Sequence, residues 1–458
     1  MNRKNILALL GLLVLISCNN DQMKSEIKPV RLITLDPGHF HAALVQKTMY
    51  DDVDSTVHVY APESNDLQLH LDRINGYNTR RENPTHWNEE VYKGDDFFEK
   101  MIAEKKGNVV VLSGNNHKKS EYILKSLQSS FNVLADKPMV IDSKGFEELK
   151  QAFDIAAKNK LLLYDIMTER FEITSILQKE LSMIPEVFGE LQKGTATDPA
   201  VVMESVHYFY KYISGNVVVR PGWFMDASQQ GEGIIDVMTH LVDLVQWECF
   251  PEQILDYNKD IRIITATRWP TAMNLSEFKT ITKLDNFPDY LKNNIKDTVL
   301  QVYSNGEINY QVKGVHARTY VVWNYKAAEG TGDTHHSIIK GTKAKLEIRQ
   351  GPDEQFKPVL YIEPAAKDTP YESILTGKIK ELQSKYPGIG IEKTKNGWKI
   401  TIPEKYNEGH EAHFARVTEN FLTYLKKRNM PAWEVPNMLS KYYTTTSALE
   451  LAIKSGVK

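Results

Sequence analysis

Lys137, Asp236 and His240 are the residues of this chain whose types and placing could do chemistry. Lys137 stands in FNVLADKP, at the end of an apolar run and directly before Pro138. An ammonium there could donate to a substrate hydroxyl and stabilise an alkoxide as it forms. Asp236 and His240 lie four apart in GEGIIDVMTHLVDLVQWECF, a spacing that on a helix puts both side chains on one face. The rest of that helix is apolar (Ile234, Ile235, Val237, Leu241, Leu244, Val245), so an acid and an imidazole on it need a partner or a cleft. A histidine so placed could take a hydroxyl proton, with the aspartate orienting the ring or assisting as base. Taken alone, the pair reads by default as a structural aspartate beside a satisfied core histidine, and Lys137 as a surface lysine. Asp243, one turn beyond His240, reads as a cap or ion-pair partner.

Other candidates are weaker. The first strand-to-helix turn, Asp36-Pro37-Gly38-His39-Phe40-His41-Ala42, keeps one glycine of the G-x-G-x-x-G pattern that lets backbone N–H groups meet a pyrophosphate. Glu63, at the end of the second expected strand, is the acid placed to bind a ribose, or else a solvated loop residue. His39 with His41, His335-His336 and His410-x-x-His413 are metal-ligand types. None has acids at ligand spacing, so no metal centre is expected. Trp223, Trp247 and Trp323 suit a sugar ring or a core, with core the default.

The elements around these residues fall into two halves. VRLITLD (30–36), STVHVYA (55–61), NVVVLSG (108–114), FNVLADKP (131–138) and KLLLYDIM (160–167) are apolar runs separated by helical patterns. Continuous apolar strands between helices predict a parallel sheet covered on both faces, an α/β doubly wound domain of Rossmann type over 29–167. Ligands of such sheets bind at the carboxyl ends of the strands, where Lys137 falls. The second half, 168–458, has a long helix over 231–250. It then shows strand-like runs (IRIITATRW, TVLQVYSNG, TYVVWNYK, THHSIIKGT, AKLEIRQ) that predict an open, mostly antiparallel sheet. An insertion near 365–405 reads as a helix plus a hairpin turning at KNGW, and a helical tail runs from His410 to Lys454.

In order, these pieces resemble the glucose–fructose oxidoreductase / inositol dehydrogenase (Gfo/Idh/MocA) family from about Val30 to the C-terminus, apart from the insertion. VVVLSGNNHKKSEYILKSLQSSFNVLADKPM resembles the family stretch ending in Glu-Lys-Pro, with Asp136 for the glutamate. GEGIIDVMTHLVDLVQW resembles its Asp-x-x-x-His-x-x-Asp helix, with Glu232 at one glycine position. IIKGTKAKLEI and HEAHFARVTENFLTYL resemble its Gly-Thr turn and late helix. The resemblance implies that Lys137 holds a substrate hydroxyl while Asp236 and His240 handle its proton, with a Lys-Pro peptide often cis. It implies NAD or NADP, tightly bound, on Gly38, His39, Phe40, Glu63, Ser113, Asn115, His117, Asp136 and Lys137. It implies substrate contacts from Arg170, Trp223 and His240, and a homo-oligomer paired through the exposed face of the second sheet. The departure is the first turn, where Asp36 and His41 align with small residues of the family. Either the cofactor lies differently, or Asp36 points away, or nucleotide binding has been lost.

The N-terminus adds a constraint. Arg3 and Lys4 precede an apolar stretch over Ile6–Ile16, then Leu15-Ile16-Ser17-Cys18, which matches a bacterial lipobox. Residues 1–18 read as a lipoprotein signal peptide and 19–28 as a tether. This predicts an exported protein, periplasmic or on the cell surface, held to a membrane only through the lipid on Cys18. Cys249 is the only other cysteine, so stability rests on a core. With 56 Lys+Arg against 59 Asp+Glu and no basic tract, nucleic acid is not an expected partner. The expected activity is NAD(P)-dependent oxidation or reduction of a carbohydrate or cyclic polyol hydroxyl or ketone. The alternatives are redox-neutral cleavage or elimination of a glycoside with tightly held NAD, and sugar binding by a chain that has lost the nucleotide.

Overall fold

The apolar runs of the first half do form one parallel sheet. The computed structural model describes residues 29–213, 216–329, 331–366 and 369–456. The export signal, Cys18 and the tether lie outside the described residues. In chain order the first half runs β1 (Leu32–Leu35), α1 (His41–Leu44), β2 (Thr56–Ala61), α2 (Asn65–Thr79), β3 (Asn88–Lys93), α3 (Phe97–Glu104), β4 (Val109–Leu112), α4 (Lys119–Gln128), β5 (Asn132–Asp136), α5 (Ser143–Asn159) and β6 (Leu163–Ile166). All pairings are parallel, in the order β3-β2-β1-β4-β5-β6. That order places the topological switch point between β1 and β4, where doubly wound sheets bind ligands. β1, β4, β5 and β6 are buried at every position because helices cover both faces.

Two elements had no apolar signature. β3 is an edge strand of sequence NEEVYK, and α2 is polar on most of its surface, started by Ser64 accepting from Leu67 N–H at 3.2 Å. The first of the helical patterns between the strands is only the four residues of α1.

The second half adds α6 (Ile173–Ser182), β7 (Val201–Tyr210), the small hairpin β8 (Tyr212–Ile213) and β9 (Asn216–Val217), α7 (Ala227–Gln230), α8 (Met238–Cys249), β10 (Ile261–Met273) and α9 (Leu275–Thr282). It continues with β11 (Ile295–Lys296), β12 (Val299–Val312), β13 (Val315–Lys326), β14 (Thr334–Lys340), β15 (Ala344–Arg349), β16 (Val359–Pro364), α10 (Thr369–Leu382), β17 (Gly390–Lys393) and β18 (Trp398–Thr401), and closes with α11 (His410–Lys427) and α12 (Glu434–Lys454). The large sheet has the order β10-β12-β13-β7-β14-β15-β16-β18-β17, with β11 beside β12. Only β7 with β13 pairs in parallel; every other pairing is antiparallel. The helix and hairpin expected as an insertion extend this sheet through β18.

Two helices differ from expectation. The helix read over 231–250 starts only at Met238, because Gly231, at a φ of +93°, ends the preceding α7 and residues 233–237 form a turn. Asp236 therefore sits in the irregular turn before α8, not on the helix itself. The tail is two helices, because Arg428 turns left-handed and Pro431 follows. The last of them, α12, packs on α5, α8 and β10 and so ties the two sheets together.

Candidate active site

Lys137 follows β5 directly, and its peptide bond to Pro138 is cis. Its Nζ donates to Asp236 Oδ1 at 2.6 Å, with both side chains about nine-tenths buried (11% and 9% exposed). Gln230 adds a further hydrogen bond to the carboxylate. Burial alone would raise the Asp236 carboxyl, but the charge and hydrogen bond of Lys137 outweigh it and hold the group at about 2. His240, near the start of α8, faces the same cavity, and its buried Nδ1 has no partner. Burial, reinforced by the Lys137 charge, lowers its imidazole to about 4. The ring is therefore neutral at pH 7 and able to accept a proton. The three residues read as a trio from the sequence thus meet at one cavity of about 920 Å³, a size that suits a small molecule.

The sequence did not gather the rest of that cavity. Glu169 lies among His240, His335, His410 and His413; in acid their charge holds its carboxyl at about 2 against the opposing effect of burial. The buried Nε2 of His335 has no partner. On another wall Trp323 stacks with His207 at 5.0 Å between ring centroids, and the Arg220 guanidinium lies 5.1 Å from the Trp323 ring and 4.5 Å from Phe224. Asp333 accepts from Lys211 and pairs with His207 Nδ1 at 3.0 Å. His335 and His410 carried a signal in their histidine pairs. Glu169, His207, Arg220 and Asp333 carried none, because they come from segments far apart in the chain that only the tertiary fold brings together.

A dinucleotide was expected on the β1–α1 turn, and in this structure that turn is closed. The N–H groups of Gly38 and His39 both donate to Ser113 O at 3.2 Å, and those of Ala42 and Ala43 to His39 O and Phe40 O. Donors that would cradle a pyrophosphate are already used. A Cβ on Gly114 would lie 2.2 Å from Asp36 O, so the β1 and β4 loops touch with no gap between them. Trp223 covers Gly38, at 3.0 Å from where its Cβ would be, and is fastened by Nε1 donating to Asp66 Oδ2 at 2.8 Å. The space left between Gly38, Asp66 and residues 218–221 is about 20 Å³, room for roughly one water. The Asp66 carboxyl faces it together with the Arg73 and Arg220 side chains; burial, with Asp66 adding to it, raises nearby Asp36 to about 6.

The expected cofactor contacts fall into two groups, some held by protein partners and some open to the cavity or solvent. Asn115 Nδ2 donates to Gln229 Oε1 at 2.7 Å and His117 Nδ1 lies 3.1 Å from Ser228 O, which docks α7 on the β4–α4 loop. Ser113 Oγ donates to Asp136 Oδ2 at 2.8 Å, Glu63 is exposed beyond β2, and His39, Phe40, Asp136 and Lys137 line the large cavity.

Two expected substrate contacts are corrected as well. Arg170 is buried in an ion network. It donates to both oxygens of Asp243 (2.6 and 2.7 Å) and to Glu434 (3.0 Å), while Lys441 bridges Asp243 (2.9 Å) and Asp165 (2.6 Å). Asp243 is thus the ion-pair partner it was read to be. Trp223 spends its indole on Gly38 and Asp66, outside the cavity. His240 remains a cavity residue.

With this geometry in place, the comparisons with known proteins are specific. A protein from Parabacteroides merdae ATCC 43184, described as a "putative oxidoreductase", is 54% identical over 93% of this chain and 98% of its own, with a TM-score of 0.92. A "putative myo-inositol dehydrogenase" from Sinorhizobium meliloti 1021 shares the fold at 11% identity, covering 93% and 98% of the two chains (TM-score 0.54). KijD10, a 3-ketoreductase from Actinomadura kijaniata solved with NADP and TDP-benzene, does so at 12% identity over 91% and 96% (TM-score 0.53). No curated protein matches the chain. The family model described as "Putative oxidoreductase C terminal domain" matches residues 177–453, and the chain belongs to this oxidoreductase family.

Proposed function

We propose that the cavity is the active site of an enzyme that moves a proton at a hydroxyl- or carbonyl-bearing carbon of a carbohydrate or cyclic polyol. One observation carries this reading: the Lys137–Asp236 pair at 2.6 Å shares a cavity with the neutral, unpartnered His240. Lys137, its charge balanced by Asp236, donates to a substrate oxygen and stabilises negative charge that develops there. His240 receives the proton. The aromatic wall of Trp323 and Phe224 suits the apolar face of a sugar ring, and the Arg220 guanidinium beside it offers donors to its hydroxyls.

The closed β1–α1 turn favours a redox-neutral form of this chemistry, an elimination. A C–H bond breaks with its proton passing to His240, a C–O bond breaks with the oxygen leaving as water or an alcohol that Lys137 protonates, a C=C bond forms, and no hydride leaves. A second reading is Gfo/Idh/MocA-type oxidation or reduction of the same hydroxyl or ketone with NAD(P), which the six-stranded sheet and the NADP bound by KijD10 support. Retention of a tightly bound dinucleotide belongs to that reading, and it requires Trp223 and residues 218–221 to lift off Gly38. The test uses a panel of aldoses, inositols and their ketones in D2O without added cofactor, followed by NMR. The first reading expects exchange of carbon-bound hydrogen or elimination, lost in His240→Asn. Turnover that needs added NAD(P) and changes nicotinamide absorbance would overturn it in favour of the second.

The same proposal keeps the protein outside the cytoplasm, anchored through an acylated Cys18, as residues 1–18 support. Cys18→Ser should shift it from the detergent phase to the aqueous phase in a phase-partition assay. A homo-oligomer joined through the open face of the large sheet is part of the reading, and light scattering at a chromatographic peak tests it.

A further inference from the structure

The turn that does not suit a pyrophosphate is rich in histidine, and the fold brings it an acid that its own sequence lacks. His41 Nδ1 lies 2.9 Å from Asp136 Oδ2, and His39 Nδ1 lies 3.8 Å from the same oxygen. One ligand atom from each of the three residues lies within 4.8 Å of the others. In a tetrahedral zinc site with bonds of 2.0–2.2 Å, ligand atoms stand about 3.4 Å apart. Shifts of a few tenths of an ångström to about 1 Å would therefore bring this set to a common ion.

We propose that His39, His41 and Asp136 bind a divalent transition metal, such as zinc or ferrous iron. Two imidazoles and one carboxylate are a donor set that suits these ions. The three residues are fixed at or just beyond the carboxyl ends of parallel strands β1 and β5, which flank β4. Ser113, at the end of β4, donates to Asp136 Oδ2 at 2.8 Å and orients the carboxylate, as outer partners of metal ligands do. His39 packs on Phe40 and Phe224, and His41 on Phe414 at 4.6 Å, which restrains both rings. The competing neighbour of His39 Nδ1 is the His41 backbone N–H at 3.4 Å, a long contact that a metal bond would replace.

All three residues line the large cavity, so a bound ion would have a side open to it. Three protein ligands and an open position make the pattern of a metal that meets substrate, not of a closed structural site. Lys137 follows Asp136 in the chain, which puts the ion and the proposed acid–base pair on one wall. The proton chemistry of Lys137 and His240 does not depend on the ion, so either proposal can fail alone.

The full chain, freed of metal by dialysis against a chelator, is titrated separately with Zn2+, Co2+ and, without oxygen, Fe2+. Bound metal is measured by mass spectrometry, and the Co2+ form by its visible d–d absorption. The expected result is a single equivalent per chain for at least one of these ions. Ser113→Ala should weaken binding by about 10–100-fold, the usual cost of losing an outer-shell partner. His39→Ala and His41→Ala should weaken it further while keeping the wild-type circular dichroism. Asp136→Asn is the third ligand variant, and His39→Gln is the milder one should His39→Ala fail to fold. No ion at one equivalent, or binding unchanged in folded His39 and His41 variants, overturns the proposal.

Discussion

Removing the Lys137 ammonium tests whether the buried pair is as tightly coupled as its geometry implies. The Asp236 carboxyl stands at about 2 against an ordinary 3.8. At about 1.36 kcal/mol per pKa unit, that depression corresponds to about 2 kcal/mol of stability. Because the folded value is the lower one, this contribution is complete above pH 3.8 and is lost as pH falls through about 2. It is a net figure, since burial opposes it. In Lys137→Met only weaker partners such as the Gln230 hydrogen bond oppose burial, and breaking a buried pair by removing one partner costs about 3–5 kcal/mol. The stranded carboxylate should then take up a proton well above its usual range. The loss in Lys137→Met is therefore largest at pH 7 and shrinks toward pH 5, as protonation relieves the unpaired charge. The assay is urea unfolding of wild type, Lys137→Met, Asp236→Asn and the double variant at both pH values. The double variant should recover most of the loss. A Lys137→Met penalty below about 1 kcal/mol, comparable to an exposed pair, would refute the reasoning. So would a penalty independent of pH, or strict additivity in the cycle.

Three further outcomes follow from other parts of the structure. His240→Asn should keep the wild-type melting temperature and cost about 10²–10⁴-fold in turnover on a substrate found by the NMR panel. In wild type the rate should fall in acid as pH drops through about 4, where the imidazole takes a proton and stops serving as base. Arg170→Met should destabilise the fold by about 3–5 kcal/mol, because it strands Glu434 in the interior and leaves Asp243 to Lys441 alone; ligand affinity in the surviving folded protein should be unchanged, since Arg170 is outside the cavity. Hydrogen bonds donated to Glu204 and Glu347 raise His336 to about 9, so its contribution is complete below pH 6.5 and lost as pH rises through about 9. His336→Gln should flatten the alkaline limb of the stability curve measured by thermal melts.

The first sheet was legible where strands were apolar on both faces, as in VVVL of β4, because burial leaves a continuous run of β-branched residues. β3 escaped notice because an edge strand can be as polar as NEEVYK. The helix over 231–250 was read as unbroken since Gly231 and Gly233 sit in an apolar stretch, and only the backbone reveals their breaks. Gly233 has Ser304 O where its Cβ would be, so the turn packs straight onto β12. Lys137, Asp236 and His240 were found because each sits in a recognisable local pattern. Glu169, His207 and Asp333 were not, since their partners lie far away in sequence. Spacing alone likewise hid the link between His41 and Asp136, which are 95 positions apart. Arg170 and Trp223 show the opposite error: a position shared with a family does not fix what a side chain touches.

The most direct test of the account is the dinucleotide content of the protein as isolated, followed by calorimetric titration with NAD+ and NADP+. Denatured protein should release no stoichiometric dinucleotide, and binding should be no tighter than about 1 mM, or about −4 kcal/mol. One equivalent of NAD or NADP per chain, or micromolar affinity, would contradict the closed turn beneath Trp223 and return the cavity to hydride transfer.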